Sequence, residues 1–167
     1  LHCLLLPILK EYRQLYPGVR IRVSNHSTPQ ALEALKNGLV DVAVVTTPLD
    51  LSDFLKSTPI KNIQEVAICG AAFSALADKK LTLSELAEYP LICLGEATKT
   101  YDFYLDFFKD NGVAFLPSVE AATADQIMPL VMHDLGIGFV PMKFLENVKG
   151  ANSVHILHLE EMIPTRS

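Results

Sequence analysis

The chain has 167 residues, long enough for one compact domain or two small lobes. Half of the residues are apolar and 20% are charged, which excludes a disordered chain. A net charge of −5 excludes a basic surface that would neutralise a nucleic-acid backbone, and no apolar run approaches the ~20 residues that span a bilayer.

Leu1–Leu6 is apolar but has no basic flank and no small-residue cleavage site, so it reads as the start of a helix and not as a signal peptide. The chain begins inside an element and without Met, as expected of a piece of a longer protein. Leu5, Ile8, Leu9, Tyr12 and Tyr16 recur at helical spacing, and Pro17-Gly18 stops that helix. Val19, Ile21 and Val23 alternate with Arg20 and Arg22, as in a strand. Thr28 is the expected N-cap of a short helix with Pro29 in its first turn, ending at Gly38. Val40–Val45 is nearly all apolar and reads as a strand buried on both faces, ending in Thr46-Thr47-Pro48.

Residues 49–62 are polar and irregular, as in a crossover between lobes. Strands are expected over Ile63–Cys69 and Leu91–Leu94, with a Thr82/Glu85 capping box opening a short helix between them. A helix over Tyr101–Asp110 follows, closed by Gly112. A strand over Ser118–Ala122 leads into a Thr123/Gln126 capping box and a helix that buries Ile127, Leu130, Val131 and Leu135. Gly136–Pro141 is a turn and a strand, Met142–Val148 a short helix, and Val154–Leu159 a last strand. Alternating strands and helices define an α/β fold with mostly parallel sheets flanked by helices.

Catalytic patterns are missing from this order. Gly136-x-Gly138 precedes a strand and so cannot be a dinucleotide turn. There is no G-x-S-x-G, and no cysteine stands beside a plausible base. The three cysteines, Cys3, Cys69 and Cys93, have no CxxC spacing and read as small buried side chains in a reducing cytosol. His155 and His158 are three apart on a strand and point to opposite faces, which argues against a metal pair. No metal or other cofactor is expected.

What recurs is a hydroxyl where a strand hands over to a helix: Ser27 and Thr28, Thr46 and Thr47, Thr98 and Thr100, and Thr123. Each alone is a helix cap. Together they lie at the carboxyl ends of strands, where ligands of open α/β sheets bind and where helix N-termini favour anions. His26 lies in the same first loop, as a ligand contact or a solvated side chain. On the Tyr101–Asp110 helix, Tyr101, Tyr104, Leu105 and Phe108 form one apolar face. Phe103 and Phe107 lie on another, so a second chain, or a part of this protein outside the sequence, is expected to cover them.

Three segments carry a family resemblance: Leu5-Leu6-Pro7 with Tyr16-Pro17-Gly18-Val19, Leu32–Val45 (LEALKNGLVDVAVV) and Val119–Pro141 (VEAATADQIMPLVMHDLGIGFVP). In this order and spacing the chain resembles the effector-binding domain of LysR-type transcriptional regulators. The resemblance implies a two-lobed, type 2 periplasmic-binding-protein-like fold, with lobe one over 1–58, lobe two over 59–160 and 161–167 crossing back. It implies a small, anionic effector held between the lobes by Thr28, Thr46, Thr98, Thr100 and Thr123, with His26 and Ser27 nearby. It further implies a cytoplasmic homodimer or higher oligomer paired through the helix bearing Phe103 and Phe107. DNA would be bound only by a separate N-terminal winged helix-turn-helix. That domain, the first strand and the end of lobe one are not in this sequence, so the fold is expected to be incomplete at both ends. The alternative is an extracytoplasmic solute-binding protein of the same fold. An enzyme is not expected.

Overall fold

A computed structural model describes residues 2–49, 55–147 and 153–167. The chain divides into two compact units, Leu1–Val45 and Thr46–Ser167. Within the first, α1 (His2–Leu15) and α2 (Thr28–Lys36) form from the two amphipathic runs. Ser27, not Thr28, takes the N-cap of α2, and its N–H donates to the Gln30 side chain at 3.1 Å. The spacing explains the shift by one. Ser27 has a glutamine three residues on, whereas Thr28 has Ala31 there.

Neither 19–25 nor 40–46 is paired as a strand, although both carry strand composition. A strand exists only through a partner's hydrogen bonds, and no ladder forms on these runs among the described residues. The Arg22 guanidinium instead donates to the Leu39 carbonyl at 3.1 Å.

The second unit is built on a six-stranded sheet. Its strands are β1 (Glu65–Cys69), β2 (Lys80–Leu81), β3 (Leu91–Leu94), β4 (Val119–Ala121), β5 (Ile137–Pro141) and β6 (His155–Leu159), in the order β2-β6-β1-β5-β3-β4. Pairings β2–β6, β3–β4 and β3–β5 are parallel, while β1 runs antiparallel to both its neighbours, β5 and β6. Among the described residues, four helices accompany the sheet: α3 (Leu83–Leu86), α4 (Lys99–Asp110), α5 (Ile127–Met132) and α6 (Met142–Asn147). The 3₁₀ segments Ala71–Asp78 and Ala124–Gln126 also belong to this unit. Residues 50–54 of the expected crossover and 148–152 lie outside the described residues.

Strand alternation sorts the core into two layers. Ala67, Cys69, Leu91, Cys93, Ile137 and Phe139 pack with Tyr104, Phe107 and Phe108 of α4 and with Phe115. Ile68, Ile92, Ala121 and Val140 pack with Ile127, Met128 and Val131 of α5. Gly138 lets α5 lie close on the sheet: a Cβ there would stand 2.7 Å from a methyl of Ile127 and 2.8 Å from one of Val131. Gly112, at φ +71°, ends α4 in the left-handed turn a glycine adopts without cost.

Burial on α4 differs from the expectation in one respect. Phe107 is only 4% exposed and lies within the unit's own core, whereas Leu105 is 38% exposed. Positions 104, 107 and 108 define the inward stripe, and the helix needs no second chain to cover Phe107. Tyr104 is stacked on Phe139 at 4.5 Å between centroids, and its buried hydroxyl has no hydrogen-bond partner among the described residues. Tyr104→Phe is therefore expected to stabilise the chain by about 1 kcal/mol, a rise of about 2–4 °C in a thermal melt. A loss of stability would mean that the hydroxyl is satisfied.

Candidate functional site

At one end of the sheet, three stretches of chain meet. Residues 46–47, the approach to β1 at 63–65, and 166–167 are tied by main-chain bonds. The Ile63 N–H donates to Arg166 O at 2.6 Å, the Arg166 N–H to Ile63 O at 3.0 Å, and the Thr47 N–H to Ser167 O at 2.8 Å. The Ser167 N–H donates to the Thr47 hydroxyl at 2.9 Å. This pairing buries the Arg166 side chain, which is 3% exposed.

The guanidinium is held on every side. Nε donates to the Thr47 carbonyl at 2.7 Å, and Nη1 to Glu65 Oε1 at 2.9 Å. Nη2 donates to two hydroxyls, Thr46 Oγ1 at 2.8 Å and Thr100 Oγ1 at 3.1 Å. Its face lies against Phe103, with Cζ 4.7 Å from the ring centroid. Burial pushes the Glu65 carboxyl above its ordinary value, and the charge and hydrogen bond of Arg166 oppose that rise.

Thr100 is placed by α4, and α4 is started by Thr98. The Thr98 hydroxyl accepts from the Tyr101 N–H at 3.2 Å and donates to the Gly95 carbonyl at 2.8 Å, so it is occupied as a cap. Lys99 pairs with Asp102 at 3.3 Å, one turn on. At the neighbouring strand end, Gln126 accepts from the Thr123 N–H at 3.3 Å and the Ala122 N–H at 2.9 Å. Glu120, for which the sequence offers no partner, lies against Gly95: a Cβ on that glycine would meet its carboxylate oxygen at 2.3 Å.

Of the expected ligand residues, the structure joins Thr46 and Thr100 through one nitrogen and sets Thr98 in the same helix turn. Thr123 follows β4, the strand beside β3. His26, Ser27 and Thr28 belong to the first unit, where His26 is exposed and Ser27 caps α2. Phe103 packs on the Arg166 guanidinium, and Phe107 lies in the core. Sequence reasoning missed Arg166 and Glu65. They are 101 residues apart, and no local period marks either, although a glutamate that opens an apolar strand is itself an anomaly.

Cys69 and Cys93 are buried and free, with burial pushing their thiols up to about 11 and about 12, so neither forms the thiolate a nucleophile needs. The side chain of Cys3 lies outside the described set. Among the described residues no group of His, Cys, Asp and Glu is arranged to hold a metal ion. No helix among them is long and apolar enough to cross a membrane.

The fold agrees with the sequence family. The model of the LysR substrate binding domain matches residues 2–167, and the chain belongs to that family. It is 29% identical over 140 residues to the HTH-type transcriptional regulator CysB of Haemophilus influenzae, covering 80% of this chain and 41% of that protein. The chain thus spans about two fifths of that relative's length. The regulatory domain of Synechocystis PCC6803 CcmR, solved in complex with 2-PG, superposes with a TM-score of 0.81 at 17% identity, covering 99% of this chain and 79% of that one. The BenM effector-binding domain with its effector benzoate gives 0.68 at 22% identity, covering 98% of this chain and 75% of that one. These likenesses establish the type 2 periplasmic-binding-like fold. The relatives are transcriptional regulators, not enzymes.

Proposed function

We propose that this chain senses a small anionic metabolite for a DNA-binding regulator and leaves it chemically unchanged. The observation that carries the reading is the buried Arg166, hydrogen-bonded to two hydroxyls, Thr46 and Thr100, beside the N-terminus of α4. Hydroxyls and free N–H groups at a helix start suit carboxylate, phosphate or sulfate oxygens. Thr98 and Thr123 belong to the same set of strand-end groups. The reading is supported by benzoate, a carboxylate, as the effector of the BenM domain. A separate helix-turn-helix in the full-length protein would bind DNA, and a cytoplasmic homodimer or higher oligomer would carry the signal.

A thermal-shift series with small carboxylates, phosphate and sulfate tests this. A ligand at 100 times its Kd should add about 2.7 kcal/mol of stability. Stabilisation by at least one anion is the expected result. Stabilisation only by cationic or apolar compounds would overturn the anion assignment.

A further inference from the structure

We propose that Arg166 is a positioning residue that sets the hydrogen-bond polarity of the ligand site, and that it does so through Thr46 and Thr100 without touching the ligand. This rests on the reading of those two threonines as ligand groups. A guanidinium only donates and stays protonated at any physiological pH. A hydroxyl has one proton and two lone pairs. Once Thr46 Oγ1 and Thr100 Oγ1 accept from Nη2, each must turn its own proton elsewhere. Among the described residues neither hydroxyl donates a hydrogen bond, so both protons are left for an incoming acceptor.

The guanidinium cannot swing away to relax this polarity. Nε is held by the Thr47 carbonyl, Nη1 by Glu65, and the face by Phe103. Because both hydroxyls share one nitrogen, they stand near enough to serve oxygens of a single anionic group. Glu65 also neutralises the arginine, so recognition comes from two oriented O–H donors more than from net charge. The site should thus select acceptor-only groups, such as a carboxylate or a phosphate, over neutral groups that both donate and accept. Glu65, which holds the arginine from behind, would belong to the same device.

Titration calorimetry of the whole chain with inorganic phosphate, sulfate, benzoate and benzamide tests the inference. Thr46→Val and Thr100→Val should each weaken the anion that the unmodified chain binds by about tenfold. Thr46→Ser and Thr100→Ser, which keep the donor, should restore it. The paired replacement Glu65→Gln with Arg166→Gln, with circular dichroism as the check on folding, should lower the preference for benzoate over benzamide by a similar factor, because the hydroxyls are then free to turn. If that variant does not fold, the four threonine variants decide. An unmodified chain that binds none of the anions would overturn the functional reading itself. Anion binding that survives both valine variants, or an unchanged benzoate preference in a folded paired variant, would overturn this inference and leave that reading standing.

Discussion

Arg166→Met alone should cost about 3–5 kcal/mol in urea-induced unfolding, because it strands the Glu65 carboxylate in a site 6% exposed. The same change also removes the donor from Thr46, Thr100 and the Thr47 carbonyl. Replacing both partners, Glu65→Met with Arg166→Met, should cost far less, since a buried ion pair recovers little more than its own desolvation. The single variant should also show a distinct pH dependence. Burial already raises the Glu65 carboxyl above its ordinary 4.5, and the opposing arginine would be gone. A carboxyl raised in the folded state keeps its proton there while the unfolded chain loses its own, so stability falls as pH rises above 4.5. The deficit relative to the unmodified chain should therefore shrink toward pH 4.5. A single variant as stable as the paired one, at all pH, would show that the pair is not buried.

Phe108→Ala should cost a comparable 3–5 kcal/mol, through lost burial and the cavity left behind. The ring is fully buried, lying 4.8 Å from Phe115 and 6.2 Å from Phe139 between centroids, with Phe107 edge-on at 5.9 Å. Leu105→Ala, on the exposed side of the same helix, should change stability by no more than about 0.5 kcal/mol. Equal costs at the two positions would mean that α4 is rotated or covered differently. The contrast also bears on assembly. A charged substitution at Phe107 would damage the fold before it could report on a dimer, so sedimentation of the unmodified chain is the sounder measure of oligomeric state.

Much of the second unit was legible because its signals are local. Leu91–Leu94 is a strand with the expected bounds, and the helix after it begins where Thr98 caps it. The Thr82/Glu85 box forms: the Glu85 N–H donates to the threonine hydroxyl at 3.1 Å, and its carboxylate accepts from the Thr82 N–H at 2.9 Å. Gly138 is required by helix α5 lying on the sheet, a close approach that sequence alone does not show. The 3₁₀ segment Ala71–Asp78 has no periodic signature, and the sequence gives no hint of it. The direction of β1 was also hidden. Alternating elements suggest the mostly parallel sheet that forms, but not that β1 is the strand lying antiparallel, between β5 and β6.

Thr98, Thr100 and Thr123, among the proposed ligand groups, could be read because they sit where a strand of the sheet hands over to a helix, whereas Thr46 follows a run that pairs as no strand among the described residues. The arginine behind Thr46 and Thr100 could not be read. Its partners lie 66, 101, 119 and 120 residues away, and only the folded chain brings them together. The family resemblance, carried by residues spread across both units, gave the fold and class that local pattern alone left open.

The chain, as proposed, holds a small anion and returns it unaltered. The most direct measurement is stoichiometric binding of the best-stabilising anion by calorimetry, followed by mass spectrometry of the ligand after prolonged incubation. Saturable one-to-one binding with the ligand recovered intact is the predicted result. Conversion of the ligand, or no saturable binding of any carboxylate, phosphate or sulfate, would contradict it.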